Sequence, residues 1–145
     1  MERPNLLIVE DQEAIGTQLR WAFADEYEVA LASNGKAALR LFEELKPPLI
    51  TLDLGLPPQP QGVGEGMRVL SEIIRKEPRS KVVVITGNDE KQAALEAIRL
   101  GAFDYYQKPI NVEELRVILR RAAYIRRLEE GGDAQQEETE ITARF

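Results

Sequence analysis

The sequence predicts an α/β domain with a doubly wound, five-stranded parallel sheet in a three-layer α/β/α arrangement. Short runs rich in Leu or β-branched residues alternate with segments of helical period, and the alternation repeats five times. A chain of 145 residues has room for one such domain but not for a second large one.

Five short runs predict the strands. The first, third and fourth are continuous apolar runs, which are typical of central strands buried on both faces, whereas Glu28 interrupts the second and indicates an edge strand. In chain order the predicted strands are Leu6 to Val9, Tyr27 to Leu31, Leu49 to Leu52, Val82 to Thr86 and Phe103 to Tyr106.

Each strand is followed by a segment whose apolar residues recur at helical spacing. Asn111 and Glu114 have capping-box spacing before the last of these segments. The predicted helices run from about Gln12 to Ala24, from after Gly35 to Pro47, from after Gly66 to Pro78, from about Asp89 to Leu100 with Gly101 as a left-handed cap, and from after Pro109 to Leu128.

The composition excludes several classes of chemistry. The chain has no Cys and no His, so it has no disulfide, thiol nucleophile, imidazole base, or metal site built from these residues. The apolar run Leu6 to Val9 is too short for a signal peptide or a membrane span. We therefore expect a cytoplasmic protein without membrane contact.

Charge separates the body of the chain from its end. The net charge is −6, and residues 129–145 carry six acids against one Arg, so the body is nearly neutral and has no broad basic footprint for nucleic acid. We predict a domain over residues 1–128. Residues 129–145, which include Gly131 and Gly132, are predicted to be a flexible acidic tail or a truncated linker.

Chemistry-bearing residues follow four of the predicted strands. Because the carboxyl ends of parallel strands meet at one edge, we expect these residues to converge there. They are Glu10 and Asp11, Asp53, Thr86 and Gly87, and Lys108 and Pro109. Three carboxylates in one place repel each other unless a hard cation balances them, and Mg²⁺ prefers oxygen ligands of this kind.

The segments LLIVED, TLDLGLP, VVVITG and YYQKP, in this order, resemble the receiver domain of two-component response regulators. The resemblance covers about residues 4–128 and implies a flavodoxin-like, CheY-like fold. It implies that Asp53 accepts a phosphoryl group from a phosphohistidine of a sensor histidine kinase. It also implies that Glu10, Asp11, Asp53 and the Gly55 carbonyl hold Mg²⁺.

The same resemblance assigns the other site residues. Thr86 is the switch hydroxyl, Gly87 leaves room for the phosphoryl group, and Lys108 pairs with it beside a cis bond to Pro109. Tyr105 is the aromatic residue that turns inward with Thr86, while Tyr106 points to the opposite face by strand alternation. The simpler alternatives are an Asp53 that caps a turn and acids that complement the dipole of the first helix.

Two regions extend the interpretation. The Gly55 to Gly66 connection holds four Gly and three Pro and is about five residues longer than in short receivers. In this it resembles regulators of PEP-CTERM exopolysaccharide systems, which carry a sigma-54-type ATPase and a DNA-binding domain. Two interpretations of this loop stay open: a rim beside the phosphorylation site that recognises a cognate kinase, and an insertion that the fold tolerates.

The last helix is basic, with five Arg and no acid from residue 116 to residue 128. By resemblance, the fourth helix, fifth strand and fifth helix form a homodimer face on phosphorylation, where these Arg would pair with Glu90, Glu96 or Asp104 across a two-fold axis. We expect no direct nucleic-acid binding by this domain, because a DNA-binding effector domain is not part of the sequence. The chain is expected to be either part of a longer regulator or a stand-alone receiver.

Two other functions are alternatives to the acceptance of a phosphoryl group by Asp53. A haloacid dehalogenase-type phosphatase needs a second Asp two residues after the first, and that position is Gly55. A degenerate receiver that binds partners without phosphorylation is the other alternative, and the complete set of site residue types argues against it. The expected function is therefore a signalling domain rather than a turnover enzyme.

Overall fold

The computed structural model describes residues 3–57, 63–87 and 90–143, with residues 132–143 as backbone only. Strands and helices alternate along the chain, as the hydrophobic pattern predicts. The strands are β1 (Asn5–Val9), β2 (Glu28–Ala32), β3 (Leu49–Asp53), β4 (Lys81–Thr86) and β5 (Asp104–Gln107). The helices are α1 (Glu13–Phe23), α2 (Gly35–Leu45), α3 (Gly64–Lys76), α4 (Lys91–Leu100) and α5 (Val112–Ala143).

The five strands form one parallel sheet in the order β2-β1-β3-β4-β5. This order places β2 at an edge and β1, β3 and β4 in the interior, which confirms the prediction from their hydrophobicity. The central strands are buried over nearly their whole length.

Alternate residues of the central strands face two separate hydrophobic cores. On one face, Leu7, Ile50 and Val84 pack with α2, α3 and α4. On the other face, Ile8 and Val83 pack with α1 and α5. The result is the predicted three-layer arrangement, with every helix but the end of α5 laid against the sheet.

Helix ends follow the local chemistry of the chain. Asn34 accepts a hydrogen bond from the Ala37 amide at 2.8 Å and so caps α2, which ends at the left-handed Lys46 before Pro47. Gly101 ends α4 at φ 118°, where its amide reaches the carbonyls of the last turn. The left-handed cap predicted at Gly101 is therefore confirmed.

The third helix begins earlier than predicted. It starts at Gly64 and not after Gly66, so the Gly-rich sequence read as loop forms its first turn. The reason is a close approach: a Cβ at Gly66 would lie 2.5 Å from the Leu54 Cα and carbonyl oxygen. Glycine thus lets α3 pack directly on the backbone that follows Asp53.

The fifth helix is longer than predicted, since α5 continues past Leu128 to Ala143. No Pro follows Pro109 in the sequence, and the Ala, Gln and Glu residues near the end favour helix. The flexible tail expected after Gly131 is helical backbone in the structure, while the domain boundary near Leu128 stays a prediction. The centre of the long loop (58–62) and Asp89 lie outside the described residues.

Candidate functional site

The carboxyl edge of the sheet brings together residues that are far apart in sequence. Glu10 and Asp11 follow β1, Asp53 ends β3, and Lys108 follows β5. Glu10 and Asp53 are buried, whereas Asp11 and Lys108 are half-buried. One carboxylate oxygen from each of the three acids lies within 4.8 Å of the others. The convergence predicted from the strand ends is present.

Lys108 is the cation of this cluster. Its Nζ donates a hydrogen bond to Asp53 Oδ2 at 2.7 Å and lies 3.9 Å from Glu10 Oε1. The second Asp53 oxygen, Oδ1, accepts the Gly55 amide at 2.9 Å. Asp53 is therefore held by an ammonium on one oxygen and by a backbone amide on the other.

The cluster carries more negative charge than Lys108 neutralises. Burial raises the pKa of Glu10 to about 8, and the charge of Asp53 and a hydrogen bond with it act in the same direction. Burial by itself lowers the pKa of Lys108, but the hydrogen bond and charge of Asp53 outweigh it and leave that pKa above its ordinary value. The oxygen-only donor set and its excess charge fit a hard divalent cation such as Mg²⁺.

Thr86 ends the neighbouring strand β4, and Gly87 follows it. Thr86 is buried, and its carbonyl accepts the Lys108 amide at 2.8 Å, which ties the two strand ends together. The Gly87 amide donates to Glu90 Oε2 at 2.9 Å. Among the described residues, the atoms nearest to a Cβ at Gly87 would be those of the Glu90 carboxyl group, at 3.8 Å or more, so no close contact fills this position.

The two adjacent tyrosines of β5 differ in environment. Tyr105 is 42% exposed and borders a cavity of about 210 Å³ that is also lined by Thr86, Ala94 and Gln107. Tyr106 is buried on the other face, in the core with α1 and α5. The alternation predicted for this pair is present, with Tyr105 on the outside. The Lys108–Pro109 peptide bond that follows is cis, as the resemblance implies.

The Tyr106 hydroxyl takes part in a network that the sequence analysis missed. It donates to Glu114 Oε2 at 2.9 Å and accepts the Asn111 amide at 3.0 Å. Asn111 Oδ1 accepts the Glu114 amide at 3.1 Å, so half of the predicted capping box is direct and the other half passes through the tyrosine. The available signal was a tyrosine at a core-facing strand position, because a buried hydroxyl needs partners.

Several arginines of α5 form ion pairs within the chain. Arg116 and Arg120 both bind Glu26, which lies just after α1. Arg121 pairs with Asp104 at the start of β5. The α4, β5 and α5 surface also exposes large apolar side chains: Leu95, Ile98, Tyr105, Val117, Tyr124 and Leu128.

Comparison with known proteins agrees with this geometry. Residues 6–120 match the response regulator receiver domain. The regulatory protein AtoC of Escherichia coli is 36% identical over 118 residues, which cover 81% of this chain and 24% of AtoC. The chemotaxis protein CheY of Listeria monocytogenes is 32% identical over 120 residues, which cover 81% of this chain and 97% of CheY.

Solved structures show the same fold. NtrX from Brucella abortus superposes with a TM-score of 0.83 at 28% identity, covering 92% of this chain and 29% of NtrX. The signal receiver domain of a Luxo repressor protein from Vibrio parahaemolyticus gives a TM-score of 0.79 at 29% identity, covering 88% of this chain and 95% of that domain.

The chain spans about a quarter of the length of AtoC and of an NtrX-like regulator of Rickettsia felis. None of the described helices combines the length and hydropathy that crossing a membrane requires. The family match covers most of the chain, and the fold is the CheY-like, flavodoxin-like one predicted. The chain therefore belongs to the receiver domain family of two-component response regulators, and its relatives include regulators of the NtrC type.

Proposed function

We propose that this domain accepts a phosphoryl group on Asp53 from a sensor histidine kinase and passes the signal on through its α4-β5-α5 face. The observation that carries the proposal is the 2.7 Å contact between Lys108 Nζ and Asp53 Oδ2 inside a buried three-carboxylate cluster. A nucleophilic carboxylate, a cation for the incoming phosphoryl oxygens and a set of metal ligands meet there.

In the proposed transfer, an Asp53 oxygen attacks the phosphorus of a phosphohistidine. The new P–O bond forms as the P–N bond breaks, and the imidazole leaves on the kinase. Bound Mg²⁺ would neutralise charge on the phosphoryl oxygens. Glu10, Asp11, Asp53 and the Gly55 carbonyl would hold it. Lys108 turns from the Asp53 carboxylate to a phosphoryl oxygen and keeps its charge paired throughout.

The proposed switch starts at Thr86. Its hydroxyl donates to a phosphoryl oxygen, and the open position at Gly87 leaves space for that oxygen. When Thr86 moves toward the phosphoryl group, it leaves more room in the cavity beside it. The side chain of Tyr105 then turns from its exposed position into that cavity. The α4-β5-α5 surface changes shape as a result, and its exposed apolar residues become the contact of a homodimer.

The output is proposed from the length of the relatives. AtoC is about four times as long as the matched segment, so a transcriptional output would come from parts of a longer regulator. This domain would bind no nucleic acid itself and would act in the cytoplasm, where it releases phosphate by hydrolysis rather than turning over a metabolite. The similarity to regulators of PEP-CTERM systems is part of the same proposal.

The experiment is intact mass measurement after incubation with Mg²⁺ and a small-molecule phosphodonor. Wild type should gain the mass of one phosphoryl group. Asp53→Asn should gain none, because an amide is a poor nucleophile, and Asp25→Asn at an exposed surface position should behave as wild type. An undiminished adduct on Asp53→Asn contradicts the assignment. A wild type that binds Mg²⁺ but takes no phosphoryl group from donor or kinase favours the degenerate receiver.

A further inference from the structure

The turn between β5 and α5 carries Lys108 and is held at two places. At one place, the Lys108 amide donates to the Thr86 carbonyl at 2.8 Å. At the other, the Asn111 amide donates to the Tyr106 hydroxyl at 3.0 Å. The tyrosine side chain thus closes a ring around residues 107–110, with Lys108 and the cis Pro109 inside it.

The hydroxyl group is well fixed in this ring. Tyr106 is only 8% exposed, and its ring packs in the core with α1 and α5. The hydroxyl proton goes to Glu114 Oε2 at 2.9 Å, which leaves an oxygen lone pair for the Asn111 amide. Pro109 has no amide proton, so it cannot donate a backbone hydrogen bond that would hold the turn.

We propose that Tyr106 is a positioning residue that holds Lys108 in place for the phosphoryl group by closing the β5–α5 turn. This inference rests on the proposed function, because the phosphoryl group is what Lys108 would be held for. The tyrosine ties the turn to strand β5, whereas an ordinary capping box would tie it only to the first turn of α5.

Because of this difference, the effect of the Tyr106 hydroxyl on the turn can be separated experimentally from its effect on the capping of α5. In Tyr106→Phe, Glu114 is free to accept the Asn111 amide directly, as in an ordinary capping box, so the start of α5 can remain capped. The bond between the turn and the strand is lost in any case. Loss of one positioning hydrogen bond predicts phosphorylation about fivefold slower.

The test compares Tyr106→Phe with two controls. Tyr27→Phe makes the same chemical change at a buried tyrosine of the same core, just before β2 at the opposite edge of the sheet. Ser80→Ala removes a buried hydrogen bond to the Pro47 carbonyl just before β4, at the opposite edge of the sheet, and so lowers stability without touching the turn. For each variant, amide hydrogen exchange at residues 107–111 and the rate of phosphorylation by a small-molecule phosphodonor with Mg²⁺ are measured on fully folded protein.

We expect faster exchange in this turn and about fivefold slower phosphorylation in Tyr106→Phe alone. A wild-type rate in Tyr106→Phe, while wild type itself is phosphorylated, overturns the inference and leaves the proposed function standing. Equal slowing in Ser80→Ala also overturns it, since general stability would then explain the effect. Absence of phosphorylation in wild type contradicts the proposed function, and the positioning role fails with it.

Discussion

Two clusters of acids and cations in this domain differ in how far their charges are paired within the chain. At the carboxyl edge of the sheet, three carboxylates share Lys108. Between α1 and α5, the single carboxylate of Glu26 receives hydrogen bonds from Arg116 and Arg120. The first cluster has an excess of negative charge, whereas in the second Glu26 has two cationic partners, and Arg116 also contacts the exposed Glu113 and Asp25.

The pKa of an acid in each cluster reflects this difference. Burial and the neighbouring Asp53 raise the pKa of Glu10 to about 8. The hydrogen bond from Arg120, with that from Arg116, lowers the pKa of Glu26. The Glu26 cluster is satisfied by the folded chain itself, so it serves packing of α5 on α1. The acidic cluster keeps an excess of negative charge beside Lys108 and a raised Glu10 pKa, which is typical of a functional site.

The largest expected effect concerns the backbone under the acidic cluster. Gly66→Ala should lower the free energy of unfolding by about 3 kcal/mol, because the new Cβ would overlap the backbone of Leu54 beside Asp53. Gly16→Ala in α1 is the matched control, since its Cβ would meet only Leu31 at 3.8 Å. Urea unfolding checks both, and equal stability of the two variants would contradict the close packing described for Gly66.

Magnesium should sharpen the contrast between the clusters. At a concentration 100 times its Kd, Mg²⁺ should raise the free energy of unfolding of wild type by about 2.7 kcal/mol. Asp11→Asn should lose most of this gain, whereas Glu26→Gln should keep it. Thermal unfolding with and without a chelator measures the gain. A gain that is the same in Asp11→Asn would place the cation elsewhere.

Without metal, the same kind of substitution should have opposite effects in the two clusters. Because the pKa of Glu10 is about 8, Glu10 is mostly protonated in the folded protein at neutral pH. Asp53→Asn removes the charge that helps to raise this pKa, so stability should equal or exceed that of wild type by about 1 kcal/mol. Glu26→Gln should lose about 1 kcal/mol after solvent screening, because Arg116 and Arg120 lose the carboxylate that they share. Urea unfolding in chelator at neutral pH measures both effects. A loss of stability in both variants would contradict the proposed electrostatic difference between the two clusters.

The smallest effect is the acid dependence of the Glu26 cluster. A carboxylate whose folded pKa lies below its unfolded value stabilises the fold above the unfolded pKa, and this is lost as pH falls through the folded pKa. The stability difference between wild type and Glu26→Gln should therefore shrink below pH 4.5. Glu44→Gln, at an exposed site, is the control. A difference that stays constant from pH 7 to acid would contradict the pairing.

The sequence predicted the acidic cluster better than the Glu26 cluster, for a physical reason. Residues at strand ends meet because parallel strands end at the same edge, so Glu10, Asp53 and Lys108 could be placed together from periodicity and order alone. Glu26 meets Arg116 and Arg120 through the packing of two helices that are distant in sequence. The angle and register of that packing are not encoded in a local pattern.

The remaining errors have local causes. The predicted start of α3 is too late, because Gly62, Gly64 and Gly66 together suggest a loop unless the contact between Gly66 and Leu54 is known. The relay through Tyr106 was missed, since capping-box spacing considers only residues within the helix. Both cases depend on contacts between segments that the sequence does not place in register.

The measurement that tests the central claim most directly is peptide mapping of the phosphorylated protein, with Mg²⁺ and with a chelator in its place. The domain is incubated with a small-molecule phosphodonor, and the modified residue is identified by fragmentation. We predict one phosphoryl group, on Asp53, formed in Mg²⁺ and greatly reduced in chelator. A phosphoryl group on another residue, or equal modification of Asp53 in chelator, would contradict the claim that the acidic cluster is a metal-assisted phospho-acceptor site.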